Sequence, residues 1–297
     1  MSHSNSKKAV VVALAGNIII TISKFIASYF TRSASMLAES IHSSADCLNQ
    51  VFLLIGGKRT KKQVDEKHPF GYGREEFFWG FMVAILLFFG GALFSFYEGV
   101  HKIMHPEPIQ HFWWGFGVLG FSLLIEIKSF TVAYGELKKT HPNGFIKAIK
   151  DSIDTNLIVI VLEDLAALLG LAIAFVCTIL ALYNPIFDGI GSIGVGLVLT
   201  FIAYSLSNEL RQLIVGENMN RVDRSKIKSI VKNFDIVSEI NTIKATTIGN
   251  NKYLLVISIN VNDLTTGFVI ENAIDAMKKE IIKEFHQVSE MYIEVSN

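Results

Sequence analysis

Apolar residues fall into six runs, at 9–30, 35–56, 77–100, 112–134, 157–182 and 186–206. Each is long enough, at 1.5 Å per helical residue, to cross about 30 Å of hydrocarbon. The spacing predicts six transmembrane helices. Two runs carry clustered ionisable groups. The second carries Glu39, His42 and Asp46, and the fifth carries Glu163 and Asp164. Beyond residue 218 the pattern changes to short amphipathic segments. The periodicity predicts a helix at 224–234 and strands at 240–247 and 253–261 around an Asn250-Asn251 turn. It then predicts a helical stripe over 269–285 and a last strand at 291–295. The order αββαβ implies a small α+β domain with helices on one face of a sheet. The expected division is a six-helix transmembrane domain at 1–218 and a separate C-terminal domain at 219–297.

Composition sharpens this reading. Hydrophobic residues make up 51% of the chain and charged residues 18%, below the roughly 25% usual for soluble domains. The net charge is zero, which argues against nucleic acid as a partner. Cys47 and Cys177 both lie in apolar runs, so no disulfide framework is expected. Basic residues are distributed unevenly. Lys7, Lys8, Lys58, Arg59, Lys61, Lys62, Lys67, Arg74, Lys138, Lys139, Lys147 and Lys150 share one side; Arg32 and Lys102 stand opposite. This bias predicts that both termini are cytoplasmic. The N-terminal stretch lacks a signal-peptide cleavage pattern and an Arg-rich transit pattern, so a bacterial inner membrane is the expected location.

Ionisable groups in a bilayer cost roughly 2.5–3.5 kcal/mol each and mark functional positions by default. In the second span His42 and Asp46 lie one turn apart, within about 40° on the helix surface; Glu39 sits about 60° to the other side of His42. An imidazole and a carboxylate at that spacing supply half of a tetrahedral metal site. The bland reading makes these helix-pairing or snorkelling groups. In the fifth span Glu163 and Asp164 point about 100° apart, so one can face the second span while the other faces a different helix. Glu126, in the fourth span, reads as a structural hydrogen-bonding group, with a proton-linked role as the rival. Lys24 in the first span is expected near the outer interface, too far to pair with Glu126. No nucleophile–base constellation or phosphate-binding loop argues for an enzyme.

The His-x-x-x-Asp pair in the second span, the six spans, the HPFGYGREE loop and the αββαβ ending together resemble the cation diffusion facilitator family of divalent-cation/proton antiporters. The resemblance implies zinc as the transported ion, no resident cofactor, a homodimer and a ferredoxin-like C-terminal domain. It places the transport site on His42 and Asp46 with a pair from the fifth span. Asp164 matches that pair, but Ile160 stands where its partner is expected, leaving Glu163 or a water as fourth ligand. Glu39 matches an acidic position with a supporting or proton-linked role. The Leu-Glu-Asp form is similar to the branch with the mitochondrial-type zinc transporter of animals. Asp65 and His68 match two of three ligands of a second, weak metal site, with Tyr72 at the third position. His286 is the only histidine of the C-terminal domain, so a zinc cluster is not expected there, and the domain reads as a dimerisation platform. His101, His105 and His111 read as loop decoration. The rival readings are a non-transporting membrane receptor or assembly partner and, within transport, manganese, cobalt or iron(II) in place of zinc.

Overall fold

The computed structural model describes residues 2–109, 111–140, 144–152, 154–249 and 252–296. The chain divides into two compact units, residues 1–56 with 78–210, and residues 57–77 with 211–297. The Asn250-Asn251 turn and the side chains of Lys7 and Lys8 lie outside the described residues.

The first unit is helical. Helix α1 spans Ser2–Thr31 and α2 spans Ala34–Arg59. The third run is one continuous rod, with α3 (Glu75–Leu86) and α4 (Leu93–Met104) joined through a π-helical turn at Leu87–Ala92. Next come α5 (Phe112–Thr140), a short helix α6 (Phe145–Asp151) that the apolar pattern did not announce, α7 (Thr155–Leu180) and α8 (Ile186–Val215). Among the described residues four helices are long and apolar enough to cross a membrane: Glu75–Met104, Phe112–Lys139, Thr155–Leu180 and Ile186–Val215. The described apolar part of α1, Asn17–Thr31, is shorter. Helix α2 has the length, but its polar residues dilute its apolar character.

Small residues let the third run and α8 approach closely. A side chain at Gly99 would meet the Gly189 carbonyl oxygen at 2.8 Å, and one at Gly189 would meet the Gly99 carbonyl oxygen at 2.7 Å. Ser192 Oγ also donates to the Ser95 carbonyl at 2.8 Å. Such close contact is how apolar helices associate where lipid removes the hydrophobic drive between them. Helix α5 packs on α1 and α7.

The turn between α1 and α2 is held from two helices. Arg32 takes a positive φ of 53°, and its carbonyl accepts a 2.7 Å hydrogen bond from Lys102 Nζ on α4. Asp188, in the first turn of α8, is fully buried and binds the start of α2. It accepts from Ser33 Oγ (2.6 Å), Ala34 N (2.6 Å), Ser35 N (3.2 Å) and Ser35 Oγ (2.6 Å). A carboxylate here satisfies otherwise orphaned N–H groups and favours the positive end of the α2 dipole. This fixes the entry point of the helix that carries His42 and Asp46.

The second unit contains α9 (Arg221–Lys232), β1 (Val237–Gly249), β2 (Lys252–Val261), α10 (Gly267–Glu284) and β3 (Val288–Val295), the αββαβ order read from the periodicity. The strands run longer than their apolar alternation because backbone pairing carries them past it. The sheet order is β1-β2-β3, with β1 antiparallel and β3 parallel to β2. Alternate residues Tyr253, Leu255, Ile257 and Ile259 of β2 are buried, as are Ile227 and Val231 of α9 and Met277 and Ile281 of α10. Alternation every two residues in the strand and every three to four in the helices therefore produces one shared core. Thr247 is also buried, its hydroxyl donating to the Leu213 carbonyl at 3.1 Å.

Candidate cation site

In the first unit α1, α2, α5 and α7 line a cavity of about 440 Å³, α1 through Asn17. Asp46 and Gln50 reach it from α2, Glu126 and Ser129 from α5, and Asn156, Ile160, Glu163 and Asp164 from α7. Among the described residues no three His, Cys, Asp or Glu side chains already converge closely enough to hold an ion. An ion binding here would draw the side chains inward.

The two acidic residues of α7 divide between two neighbours, as their 100° separation requires. Glu163 faces α2, where Asn49 Nδ2 donates to its Oε1 at 2.9 Å. Asp164 faces α5, where Ser129 Oγ donates to its Oδ2 at 2.8 Å. Asn49 and Ser129 therefore orient the carboxylates, and neither residue stood out in the sequence. Their signal is polar character in an otherwise apolar helix, which is too common to be selected without a partner.

His42 is fully buried, and neither ring nitrogen has a hydrogen-bond partner. Its Nδ1 stands 3.5 Å from Asp46 Oδ1, beyond ordinary hydrogen-bond length. Asp46 Oδ1 is buried and equally unpartnered. Buried polar atoms left without partners are uncommon and call for a functional account. A ligand that both atoms could bind supplies one.

Glu39 has a different setting. Lys24 is fully buried within the protein, and its Nζ lies 3.3 Å from Glu39 Oε2 and donates to Ser43 Oγ at 2.7 Å. The pair ties α1 to α2, and each charge offsets the desolvation of the other. Glu39 Oε1 lies over Gly170 of α7, where a side chain would come within 2.6 Å of it. Glu39 therefore sits in a packed, charge-compensated position apart from the cavity wall.

The loop residues Asp65 and His68 belong to the second unit and form a closed turn. Asp65 Oδ1 accepts from His68 N at 2.7 Å and lies 3.1 Å from His68 Nδ1, while Tyr72 OH donates to Oδ2 at 2.6 Å. The Tyr72 hydrogen bond holds the Asp65 carboxyl below its ordinary range and pushes the Tyr72 hydroxyl up. A carboxyl lowered on folding stabilises the turn above the ordinary value of about 3.9, and that contribution disappears as pH falls through the lowered value. Tyr72→Phe should therefore return the Asp65 titration towards about 3.9, as read by carboxyl-carbon NMR of the labelled protein. An unmoved titration would remove Tyr72 as the cause.

Residues 10–215 match the family model for the cation efflux transmembrane domain. The chain is 31% identical over 281 residues to the human protein named "Proton-coupled zinc antiporter SLC30A9, mitochondrial", covering 92% of this chain and 50% of that protein. It is 31% identical over 268 residues to metal tolerance protein C4 of Arabidopsis thaliana, covering 88% and 58%. It is 25% identical over 248 residues to the cation-efflux pump FieF of Yersinia pestis, covering 84% and 79%. The chain thus spans about half the length of the first two of these relatives. With most of its length matched by the family model and four membrane-length apolar helices, this chain is an integral membrane protein of the cation efflux family, a family of transporters and not of enzymes.

Proposed function

We propose that the protein exports a divalent cation, zinc first, from the cytoplasm in exchange for protons. The cation binds between α2 and α7 to His42, Asp46, Glu163 and Asp164. The observation that carries this reading is the pairing of a carboxylate-lined cavity with a buried, unpartnered imidazole beside Asp46. The names of the zinc antiporter and the efflux pump among the relatives support the same direction and exchange. In this reading α1 and α2 complete a set of six spans, both termini are cytoplasmic, and the membrane is a bacterial inner membrane. Residues 219–297 form a ferredoxin-like domain through which two copies associate.

The chemistry follows from the donors. Imidazole binds a metal only when neutral, and carboxylates only when ionised, so loading the cation releases protons. Protons arriving from the far side convert these donors to non-ligating forms and discharge the ion. Lys24 offsets Glu39, which leaves Glu39 to position α2 and the cavity carboxylates to meet the cation. Asp65 and His68 are a subsidiary site, because an ion there must displace the Tyr72 hydroxyl from Asp65.

The test is flux in proteoliposomes containing the purified protein. Zinc entry should be accompanied by opposite proton movement under an imposed pH gradient. Manganese, cobalt or iron(II) moving in place of zinc would reassign the cargo. Absence of flux for all four ions would favour the receptor reading.

A further inference from the structure

Glu126 is the cavity group that the two-helix site leaves unused. It lies on α5 three residues before Ser129, so both project from one helix face. It lines the same cavity as Asp46, Glu163 and Asp164, close enough for its charge to act on each of them. Among the described residues it has no hydrogen-bonded side chain or salt-bridge partner. Lys24, buried nearby on α1, hydrogen-bonds to Glu39 and Ser43 and not to Glu126, which its charge reaches only at a distance. Ile160, at the α7 position one turn before Asp164, lines the cavity with an aliphatic side chain that cannot ligate.

Four carboxyl groups on the wall of one cavity repel one another when ionised, and the repulsion grows as water is excluded. A divalent cation relieves it. The acidic residues alone would not identify a site. The independent sign is His42, fully buried with both nitrogens unpartnered and Nδ1 directed at Asp46 on the cavity wall.

We propose, building on the transport reading above, that Glu126 is a ligand of the transported cation, supplied by α5 on a wall where Ile160 of α7 offers no donor. The site then draws on three helices instead of two. Its donors are one nitrogen and up to four carboxylates, a harder set than one rich in imidazole. Hard oxygen donors favour manganese and similar ions relative to a nitrogen-rich site. Glu126 is therefore the residue that shifts cation preference away from zinc alone.

Equilibrium binding to the full chain in detergent tests this, with free Mn²⁺ read by electron paramagnetic resonance and Zn²⁺ by competition with a fluorescent chelator. Glu126→Gln should weaken Mn²⁺ binding roughly 10–100-fold and Zn²⁺ binding by less. Adding Ile160→Asp to Glu126→Gln should restore Mn²⁺ binding, because it returns a carboxylate to the same cavity. Unchanged size-exclusion behaviour of both variants excludes misfolding as the cause. If Glu126→Gln binds both ions like the parent while Asp46→Ala binds neither, Glu126 is no ligand and the transport reading stands. Loss without restoration by Ile160→Asp also overturns the proposal. If Asp46→Ala and His42→Ala bind both ions normally, the transport site itself is wrong.

Discussion

Alanine at His42 or at Asp46 is expected to reduce cation flux in proteoliposomes by roughly 100-fold or more, at or beyond the top of the 10–100-fold that losing a mere supporting partner of a metal ligand costs. His42 is not on the cavity lining but places an imidazole nitrogen 3.5 Å from Asp46 Oδ1, and Asp46 is the α2 carboxylate that reaches the cavity. His42 makes no hydrogen bond that its removal would break, both ring nitrogens being unpartnered, and Asp46 leaves Oδ1 unpartnered while its carboxyl meets Glu163 across the same site. Activity and stability should therefore separate. The variants should retain the size-exclusion profile and thermal stability of the parent, and removing a buried unsatisfied polar group can even stabilise a protein. His42→Ala leaves a void in a fully buried position, so His42→Gln serves as a volume-preserving companion. Parent-like flux in Asp46→Ala would end the proposed site, whatever the outcome at other residues.

The opposite separation is expected at Asp188. Asp188→Ala removes the acceptor for two backbone N–H groups and two serine hydroxyls, all within buried Ser33, Ala34 and Ser35. A hydrogen bond to a charged group contributes about 1.5–3 kcal/mol, and the donors left behind cannot reach water. These bonds share one carboxylate and do not add independently, so the expected loss is about 3–5 kcal/mol. Asp188→Asn keeps one acceptor oxygen and should fall between parent and alanine. Thermal unfolding in detergent, followed by tryptophan fluorescence, measures this. An Asp188→Ala melting temperature within about 2 °C of the parent would show that other contacts hold the start of α2. Flux should fall with stability here, because α2 carries His42 and Asp46 from a fixed entry point.

The contrast between these two positions explains why one was legible in the sequence and the other was not. His42 and Asp46 are conspicuous because polar groups in an apolar run are costly, and their spacing alone places them on one face. Asp188 lies at the edge of its run, where an acidic residue in the first turn is an ordinary helix feature. Its role depends on Ser33–Ser35, which are more than 150 residues away in the chain. Lys24 has the same history. Counted along its helix it lies near an interface, but in the fold it is buried against Glu39.

By itself the sequence determined the order of the long apolar helices, the amphipathic αββαβ segment and the identity of the charged spans, because these depend on local periodicity and solvation cost; the short α6 was not legible in it. It also determined that Glu163 and Asp164 cannot face the same neighbour. Only the tertiary structure decided which neighbour each one meets. Helix period sets the angle between side chains, but packing against other helices sets the rotation of the whole helix. That rotation turns Glu163 to Asn49 on α2 and Asp164 to Ser129 on α5. It also brings Glu126 to the same cavity wall, which no spacing along α5 could have announced.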